Sequence, residues 1–317
     1  MTTIIAGGPQ SYAASGFATA IIDGQMAIVS ETIEELGEGP PTTGEGYQAA
    51  AQQLDVIAGD MTTAVGVAAW ESPAGELFSM QFQALARAVA QIAKTDQSLA
   101  LTMDQQAAAV ATARAELHST ERKLFIARTH ALAWANSGNM IKSQSLQTAA
   151  VQLAQTEYRA AMAKLTSATA TSTTQATGCH TSMDEIEESL ASDAISPQSL
   201  ASTSGVVNVA PGDLTRMATA VQNCSSPLVV TIGIGPQIFK EVQLTHGHSA
   251  QNAAFLDALA FFVERHIAVL KTINKLVVSH AKNLNRTGEL YVECDDSDAD
   301  DLQFDLEEDF TRRNGVP

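Results

Sequence analysis

The feature that most constrains the fold is a long stripe of apolar residues between positions 78 and 117. Its members follow one another at alternating steps of three and four residues, and Asp96, Gln106 and Ala113 fill the positions where the apolar step is interrupted. A repeat of about 3.5 residues held over about five heptads is typical of a helix in a left-handed coiled coil. The segment therefore predicts one long helix with an antiparallel partner, either Tyr47–Val67 or Ile141–Leu165. The apolar stripe consists of Phe78, Phe82, Leu85, Val89, Ile92, Leu99, Met103, Val110 and Leu117.

The composition favours helices throughout the chain. Aromatic residues make up only 5% of the 317 residues, and the segments are rich in Ala, Gln, Leu, Ser and Thr. This favours slender, closely packed helices over sheets of β-branched and aromatic residues. We therefore expect an all-α protein, with a long antiparallel helical hairpin or bundle and a second, smaller helical hairpin.

The charge of the chain excludes several classes of partner. It carries 35 acidic and 18 basic residues, a net charge of −17, which repels the phosphates of nucleic acids and anionic lipids. Nucleic acid is therefore not an expected partner. No Lys or Arg precedes Arg87, so we expect no cleaved Sec or twin-arginine signal peptide. The most apolar late stretch, Phe255–Val278, is interrupted by charged residues, so no transmembrane segment is expected.

Breaks in the helical pattern divide the chain into five predicted parts. A helix around Ile21–Leu36 ends at a Gly- and Pro-rich break, and a Thr/Ser-rich run resembles a disordered linker. After this run, Pro227, Gly233, Gly235 and Pro236 are expected to interrupt the chain before a long helix at about Ser249–Asn285. The predicted parts are a lead-in at 1–45, a helical bundle at 46–165, a linker at 166–205, a helical hairpin at 206–292 and an acidic tail at 293–317.

The acidic tail is the most strongly charged part of the sequence. No basic residue occurs from Glu289 to Asp309. The tail lacks the central Gly and the terminal Glu of an EF-hand calcium loop. We therefore expect a solvated, disordered tail, in which Phe304, Leu306 and Phe310 are candidate apolar anchors for a partner.

Patterns typical of catalysis or metal binding are weak. Gly233-Ile234-Gly235 is followed by Pro236, so it lacks the third Gly and the free N–H groups of a phosphate-binding turn. His246-Gly247-His248 has no carboxylate or Cys at ligand spacing and is interpreted as the turn before a helix. We therefore predict no catalytic residue, no cofactor and no metal. The cysteines are too few and too scattered for a disulfide framework or a zinc site: Cys179, Cys224 and Cys294.

A family resemblance covers roughly residues 15–140. It begins at Ile22-Asp23-Gly24 and continues through the turn at Trp70 into Ala74-Gly75-Glu76-Leu77-Phe78. In this combination the N-terminal half resembles the EspA/EspE family of mycobacterial type VII (ESX) secretion. The resemblance then follows the helix through Asp96, Leu99, Gln106-Ala107, Ala109-Val110, Arg114 and Leu117.

The C-terminal half resembles a second family of the same secretion system, EspC/EspF. Val207, Val209, Pro211 and Leu214 match its opening V-x-V-x-P-x-x-L. The segment Val242–Gly247 matches V-x-L-T-H-G before the long helix, and Tyr291 with Asp295 matches Y-x-x-x-D. The chain thus looks like a fusion of two families.

Both resemblances imply helical, non-enzymatic proteins that are secreted or held at the cell surface, without a cleaved signal peptide. They imply a composite export signal, formed by an interhelical turn at Trp70, Ser72 and Gly75 and by Tyr291 and Asp295 after the last helix. The turn reads Trp70-Glu71-Ser72 and lacks the Gly of W-x-G. The resemblances imply two kinds of partner. One is the ESX secretion machinery, namely its ATPase or a chaperone, and the other is further secreted Esp-type proteins. A homo-oligomer is a further expected assembly, and no cofactor is implied.

A second interpretation, from another class, stays open. The chain could be a cytoplasmic structural or adaptor protein that assembles through the apolar stripe and is not exported. Fractionation of culture filtrate separates the two, because an adaptor stays with the cells. An enzyme would need a polar, His-lined pocket, for which the sequence offers no pattern.

Overall fold

The computed structural model describes residues 19–66, 73–193 and 209–314, with the backbone alone at 73–74, 193 and 294–314. In these ranges the chain forms seven α-helices and no strand, which confirms the all-α fold. None of these helices is long and apolar enough to cross a membrane. The helices are α1 (Ala20–Glu35), α2 (Glu45–Val65), α3 (Pro73–Asn136), α4 (Met140–Asp193), α5 (Pro211–Asn223), α6 (Ser225–His246) and α7 (Ala250–Asn314).

A tight turn joins the two long helices α3 and α4. Gly138 has a φ of 79°, a left-handed conformation that favours glycine. Asn139 caps α4, because its side-chain oxygen accepts the backbone N–H of Lys142 at 3.2 Å. The chain therefore reverses within three residues, at the break that the sequence predicts.

The hydrogen bonds between α3 and α4 define an antiparallel hairpin. Thr102 donates to Gln175 at 3.3 Å, and Thr120 donates to Glu157 at 3.0 Å. Residue numbers therefore rise along α3 while they fall along α4. Of the two predicted partners of the long helix, Ile141–Leu165 is paired with α3 in this hairpin.

One compact unit comprises residues 19–46, 98–179 and 236–262. Helix α1 lies against the hairpin, since Thr32 bonds the Tyr158 hydroxyl at 3.2 Å and Arg128 pairs with Asp23 at 2.6 Å. The core of this unit is made of apolar side chains from α1, α3 and α4, among them Ile22, Val29, Leu36, Val110, Leu117, Leu124, Ala154, Ala161 and Leu165.

The other compact unit comprises the described residues of 47–97, 180–235 and 263–314. Ser225 donates to Asn274 at 2.7 Å, so α6 is held to α7. Arg265 of α7 pairs with Asp184 and Glu187 near the end of α4. Both compact units draw on both halves of the sequence, so they do not follow the predicted division into a bundle and a separate hairpin.

The predicted linker is wrong up to residue 193, because this stretch is the C-terminal part of α4. Outward-facing hydroxyls there bond the carbonyl four residues back, as Thr174 does with Ala170 at 2.9 Å. Small residues occupy the buried heptad positions of this stretch, although its composition is that of a linker. Residues 194–205 lie outside the described ranges. The buried positions recur at steps of three and four: Thr169, Ser172, Ala176, Cys179, Met183, Ile186 and Leu190.

Three further expectations about helix ends are also wrong. Helix α6 runs through Pro236, and Pro227 lies in its first turn, where a missing N–H breaks no helical bond. Helix α7 continues past Asn285 and Gly288. At Gly288 a Cβ would meet the Pro211 carbonyl at 3.5 Å, an ordinary contact with α5. The backbone stays helical to Asn314, so the expected disordered tail is helical along most of its length.

Candidate functional site

A buried arginine joins three backbone segments of the first compact unit. Arg114 lies on α3 and is only 9% exposed. Its Nε donates to the Leu36 carbonyl at 3.0 Å, and its terminal nitrogens donate to the carbonyls of Leu36, Gly39 and Thr245. Burial lowers the pKa of this guanidinium. The positive charge is thus stabilised by carbonyl oxygens at the ends of α1 and α6.

Two glycines let these segments approach each other closely. Gly37 and Gly247 have φ values of 88° and 69°, in the left-handed region. A Cβ on Gly247 would lie 2.1 Å from the Glu35 carbonyl oxygen and 2.4 Å from the Gly37 nitrogen. The backbones at the end of α1 and at the α6–α7 turn are therefore in direct contact.

The turn between α6 and α7 is also bonded to the loop before α2. The Thr42 backbone N–H donates to the Thr245 hydroxyl at 3.0 Å. His246 is buried, donates from Nε2 to the Thr42 carbonyl at 3.0 Å and stacks on Phe255 with centroids 6.3 Å apart. Burial lowers the pKa of His246; the bond to Thr42 opposes this effect, and the nearby Arg114 adds to it. The imidazole is therefore held in its neutral form.

Asn252 and Gln106 extend the same network between helices. The Asn252 side chain donates to the His246 carbonyl at 2.6 Å. Gln106 donates to Asn252 and to Thr169, both at 3.0 Å. These bonds link α3, α4 and the start of α7 in the core. We call the set Gln106, Arg114, Thr245, His246 and Asn252 the polar junction.

A second buried polar cluster lies in the other compact unit. His266 of α7 donates from Nε2 to Asp96 of α3 at 3.1 Å, and both side chains are buried. The Tyr47 ring meets the imidazole edge-on, with centroids 6.3 Å apart. Burial raises the pKa of Asp96, while the facing His266 opposes that rise. This cluster ties α2 and α3 to α7.

Both clusters join helices and loops through buried hydrogen bonds. The polar junction consists of neutral hydrogen bonds and of a cation surrounded by carbonyls, an arrangement that fixes which segments lie together. Among the described residues, no group of three or more His, Cys, Asp or Glu is arranged to hold a metal ion. The site is best described as an internal interface between segments distant in sequence.

The residues predicted for the export signal are described only in part. Trp70 and Ser72 fall outside the described residues, and Gly75 is buried in the first turn of α3. Tyr291 is half-buried on α7, and the Asp295 backbone follows one helical turn later. Because α7 continues through Gly288, the two positions lie on one helical face.

The predicted apolar stripe is mostly buried. Phe78 is partly exposed and stacks on Phe82 with centroids 5.6 Å apart, whereas the other eight residues of the stripe are buried. In the sequence, Gln106 and Arg114 are recognisable as parts of a family pattern, but nothing near them predicts their joint role. The available signal was a polar or charged residue at buried positions of a long apolar helix.

These features describe an all-helical protein with two buried polar clusters. Residues 36–119, about a quarter of the chain, match the EspA/EspE family, which associates this part with type VII secretion. No curated protein and no solved structure matches the chain. The matched range contains Gln106 and Arg114 of the polar junction, together with the Leu36 and Gly39 carbonyls that Arg114 binds. The other members of the polar junction lie outside the matched range: Thr245, His246 and Asn252.

Proposed function

We propose that this protein is a non-enzymatic secreted substrate, or secretion-associated protein, of a type VII (ESX) secretion system. The observation that carries the proposal is the family match at residues 36–119. This range contributes the loop carbonyls, Gln106 and Arg114 to the polar junction. The protein acts through helix–helix contacts with other proteins, and it is exported without a cleaved signal peptide.

The proposal extends to the C-terminal half as an EspC/EspF-like partner that is fused to the EspA/EspE-like part. The segment with the L-T-H-G pattern supports this extension, because Thr245 accepts a bond from Arg114 and His246 bonds the loop at Thr42. A fusion replaces the encounter of two chains by a tethered contact of high effective concentration. The packing of residues 236–262 with 98–179 in one compact unit agrees with such a pair.

We further propose that the ATPase or a chaperone of the secretion machinery binds Tyr291 and Asp295, together with the turn at Trp70. Tyr291 is half-buried and lies on α7, far in sequence from the polar junction. Its replacement should therefore leave the fold intact. Leu290, 51% exposed, and Val292, 47% exposed, flank it and provide matched positions for controls.

The test is export of the intact chain from a mycobacterium with and without a working ESX ATPase. We expect the protein in culture filtrate or at the cell surface only when the ATPase works. Tyr291→Ala should abolish export while the chain stays folded, because a substitution at a half-buried position costs about 1 kcal/mol. Leu290→Ala should be exported normally. Retention of the wild-type chain in the cytoplasm of both strains would contradict the proposal and favour a cytoplasmic adaptor.

A further inference from the structure

The end of the α3–α4 hairpin differs in charge from the chain as a whole. Residues 122–156 comprise the end of α3, the turn and the start of α4, and we call them the hairpin end. They contain four basic residues and no acidic one, whereas the chain has 18 basic and 35 acidic residues. The hairpin end is therefore positively charged in a protein whose net charge is −17.

Ion pairs neutralise only two of these four basic side chains. The two pairs are Lys123 with Glu157 and Arg128 with Asp23, each at 2.6 Å. Arg122 and Lys142 are exposed, and among the described residues no acidic side chain lies within ion-pair distance of either. Lys142 belongs to the first turn of α4, and its Nζ lies over the Trp134 ring, 4.6 Å from the centroid. The extremity of the hairpin thus carries a positive charge that no described carboxylate compensates.

Large apolar side chains are exposed on several sides of this extremity. Ile141, directly after the turn, is 79% exposed. Trp134 is six residues after Arg128, which pairs with α1, so the two side chains lie about 120° apart around α3. Helix α1 begins at the same end and exposes Ile21 there. The exposed large apolar residues of the hairpin end are Phe125, Ile126, Trp134, Met140, Ile141 and Leu153.

A lipid bilayer suits this arrangement better than a protein partner does. A rigid partner covers one side of a helical hairpin, whereas the fluid interfacial region of a bilayer surrounds whatever is inserted into it. Tryptophan and apolar side chains enter that region, while a lysine extends its ammonium group towards the lipid headgroups. Trp134, Ile141 and Lys142 provide these three kinds of side chain within one turn of the chain reversal.

The charge of the rest of the chain does not cancel attraction to anionic lipids at this extremity. From residue 122 to residue 156 there is no acidic side chain, and Glu121 lies about 22 Å along α3 from Asn136. Exposed charges are screened over about 8 Å at physiological salt. The acidic parts of α3 and α4 are therefore more than two screening lengths from the turn, whereas Lys142 lies beside it.

We propose that the hairpin end binds the surface of an anionic lipid bilayer. Trp134, Met140 and Ile141 enter the interfacial region, and Lys142 faces the phosphates of the lipid headgroups. The hairpin lies at the surface and does not cross the bilayer, since no described helix is long and apolar enough to do so. This inference is independent of export.

The test is flotation of the purified full-length chain with vesicles of phosphatidylcholine, or of phosphatidylcholine mixed with phosphatidylglycerol. Ile141→Asp puts a negative charge at the extremity, and α4 should still fold because an acidic residue suits the first turn of a helix. Leu101→Asp is the matched control, because Leu101 is 63% exposed on α3 and lies about 50 Å from the turn. Circular dichroism checks that each variant is folded.

We expect the wild type and Leu101→Asp to float with both kinds of vesicle. They should bind the mixed vesicles about fivefold more tightly, because an anionic surface attracts a nearby lysine, and high salt should remove this preference. Ile141→Asp should bind both kinds of vesicle at least about tenfold more weakly, because it loses an inserted apolar side chain.

A second pair of variants tests the charge alone. Lys142→Glu should weaken binding to the mixed vesicles by about tenfold and change binding to phosphatidylcholine much less. Lys271→Glu, at an exposed position on α7, makes the same change of charge outside the hairpin and should bind as the wild type does.

Three results would overturn the proposal. The first is a wild-type chain that floats with neither kind of vesicle. The second is a folded Ile141→Asp variant that floats as well as the wild type. The third is a wild-type chain that does not float but forms an oligomer that Ile141→Asp dissociates in sedimentation velocity, since the hairpin end would then be a contact between copies of the protein.

Discussion

The two buried polar clusters stabilise their basic groups in different ways. In the polar junction, the charge of Arg114 is surrounded by backbone carbonyls, and the neighbouring His246 is neutral. In the other cluster, His266 faces the carboxylate of Asp96. A backbone carbonyl cannot change its charge with pH, whereas a carboxylate can. Lowering the pH should therefore destabilise the first cluster, through His246, and stabilise the second cluster, through Asp96.

The largest expected effect comes from removing the guanidinium. Arg114→Met removes the donor of the buried Leu36 carbonyl and of the carbonyls of half-buried Thr245 and exposed Gly39. An unsatisfied buried group costs about 1–3 kcal/mol and the more accessible carbonyls cost less, so we expect the free energy of unfolding to fall by about 2–4 kcal/mol. Denaturant titration measures it. Arg122→Met, at an exposed position on the same helix, is the control and should change it by about 0.5 kcal/mol or less. An equal effect of both substitutions would refute the role of Arg114.

The next effect separates backbone contact from backbone strain. Gly247 and Gly39 both have a φ of 69°, but a Cβ on Gly39 meets nothing within 4 Å. Gly39→Ala should therefore lower the free energy of unfolding only by the strain of the left-handed conformation, about 1–2 kcal/mol. Gly247→Ala should cost about 2 kcal/mol more, because its Cβ collides with the Glu35 carbonyl. Equal losses in the two melting curves would mean that the α6–α7 turn does not contact α1.

A smaller effect follows from pH. The pKa of His246 is lower in the folded chain than the ordinary value, so its contribution to stability is present above that value and is lost as pH falls. Asp96 has a raised pKa, so its contribution is present at acid pH and is lost as pH rises. We expect a loss of up to about 1.4 kcal/mol per pH unit below about pH 6.5 from His246.

Variants isolate this contribution from that of other groups. His280 is half-buried against Phe78 and Phe82 and also has a pKa lowered by burial, so the wild type alone does not separate the histidines. His246→Gln keeps a side-chain N–H donor and should flatten the fall in stability from about pH 7.5 to 5.5. Asp96→Asn should steepen that fall. A His246→Gln variant with the wild-type pH profile would contradict the comparison.

The sequence predicted the elements of the fold better than their extents. The apolar stripe on α3 and the breaks near Gly37 and Gly138 could be recognised because large apolar side chains and glycines have strong local preferences. Residues 166–193 were misread because Thr, Ser and Ala at heptad positions have the composition of a linker. The polar junction could not be predicted, since its bonds join residues up to 204 positions apart, as in Thr42 to His246. No local pattern reports such a pairing.

The smallest effect tests whether residues 166–193 are helical. Gly178 lies inside α4, and a Cβ there would meet nothing within 4 Å. In a helix, Gly178→Ala should stabilise the protein by about 0.5–1 kcal/mol, because alanine loses less backbone entropy. The melting temperature should therefore rise. An unchanged melting temperature, with rapid proteolysis between residues 166 and 193, would indicate that this stretch is a linker and contradict the helix.

The central claim is that residues 36–46 and 98–119 of the family-matching segment pack with residues 236–262 through the polar junction. The most direct measurement is to produce residues 1–200 and 201–317 as two co-expressed chains, divided in a stretch outside the described helices. The account predicts that they purify as a stable one-to-one complex, and that Arg114→Met in the first chain separates them. Two fragments that elute separately, each with its own cooperative unfolding transition, would contradict it.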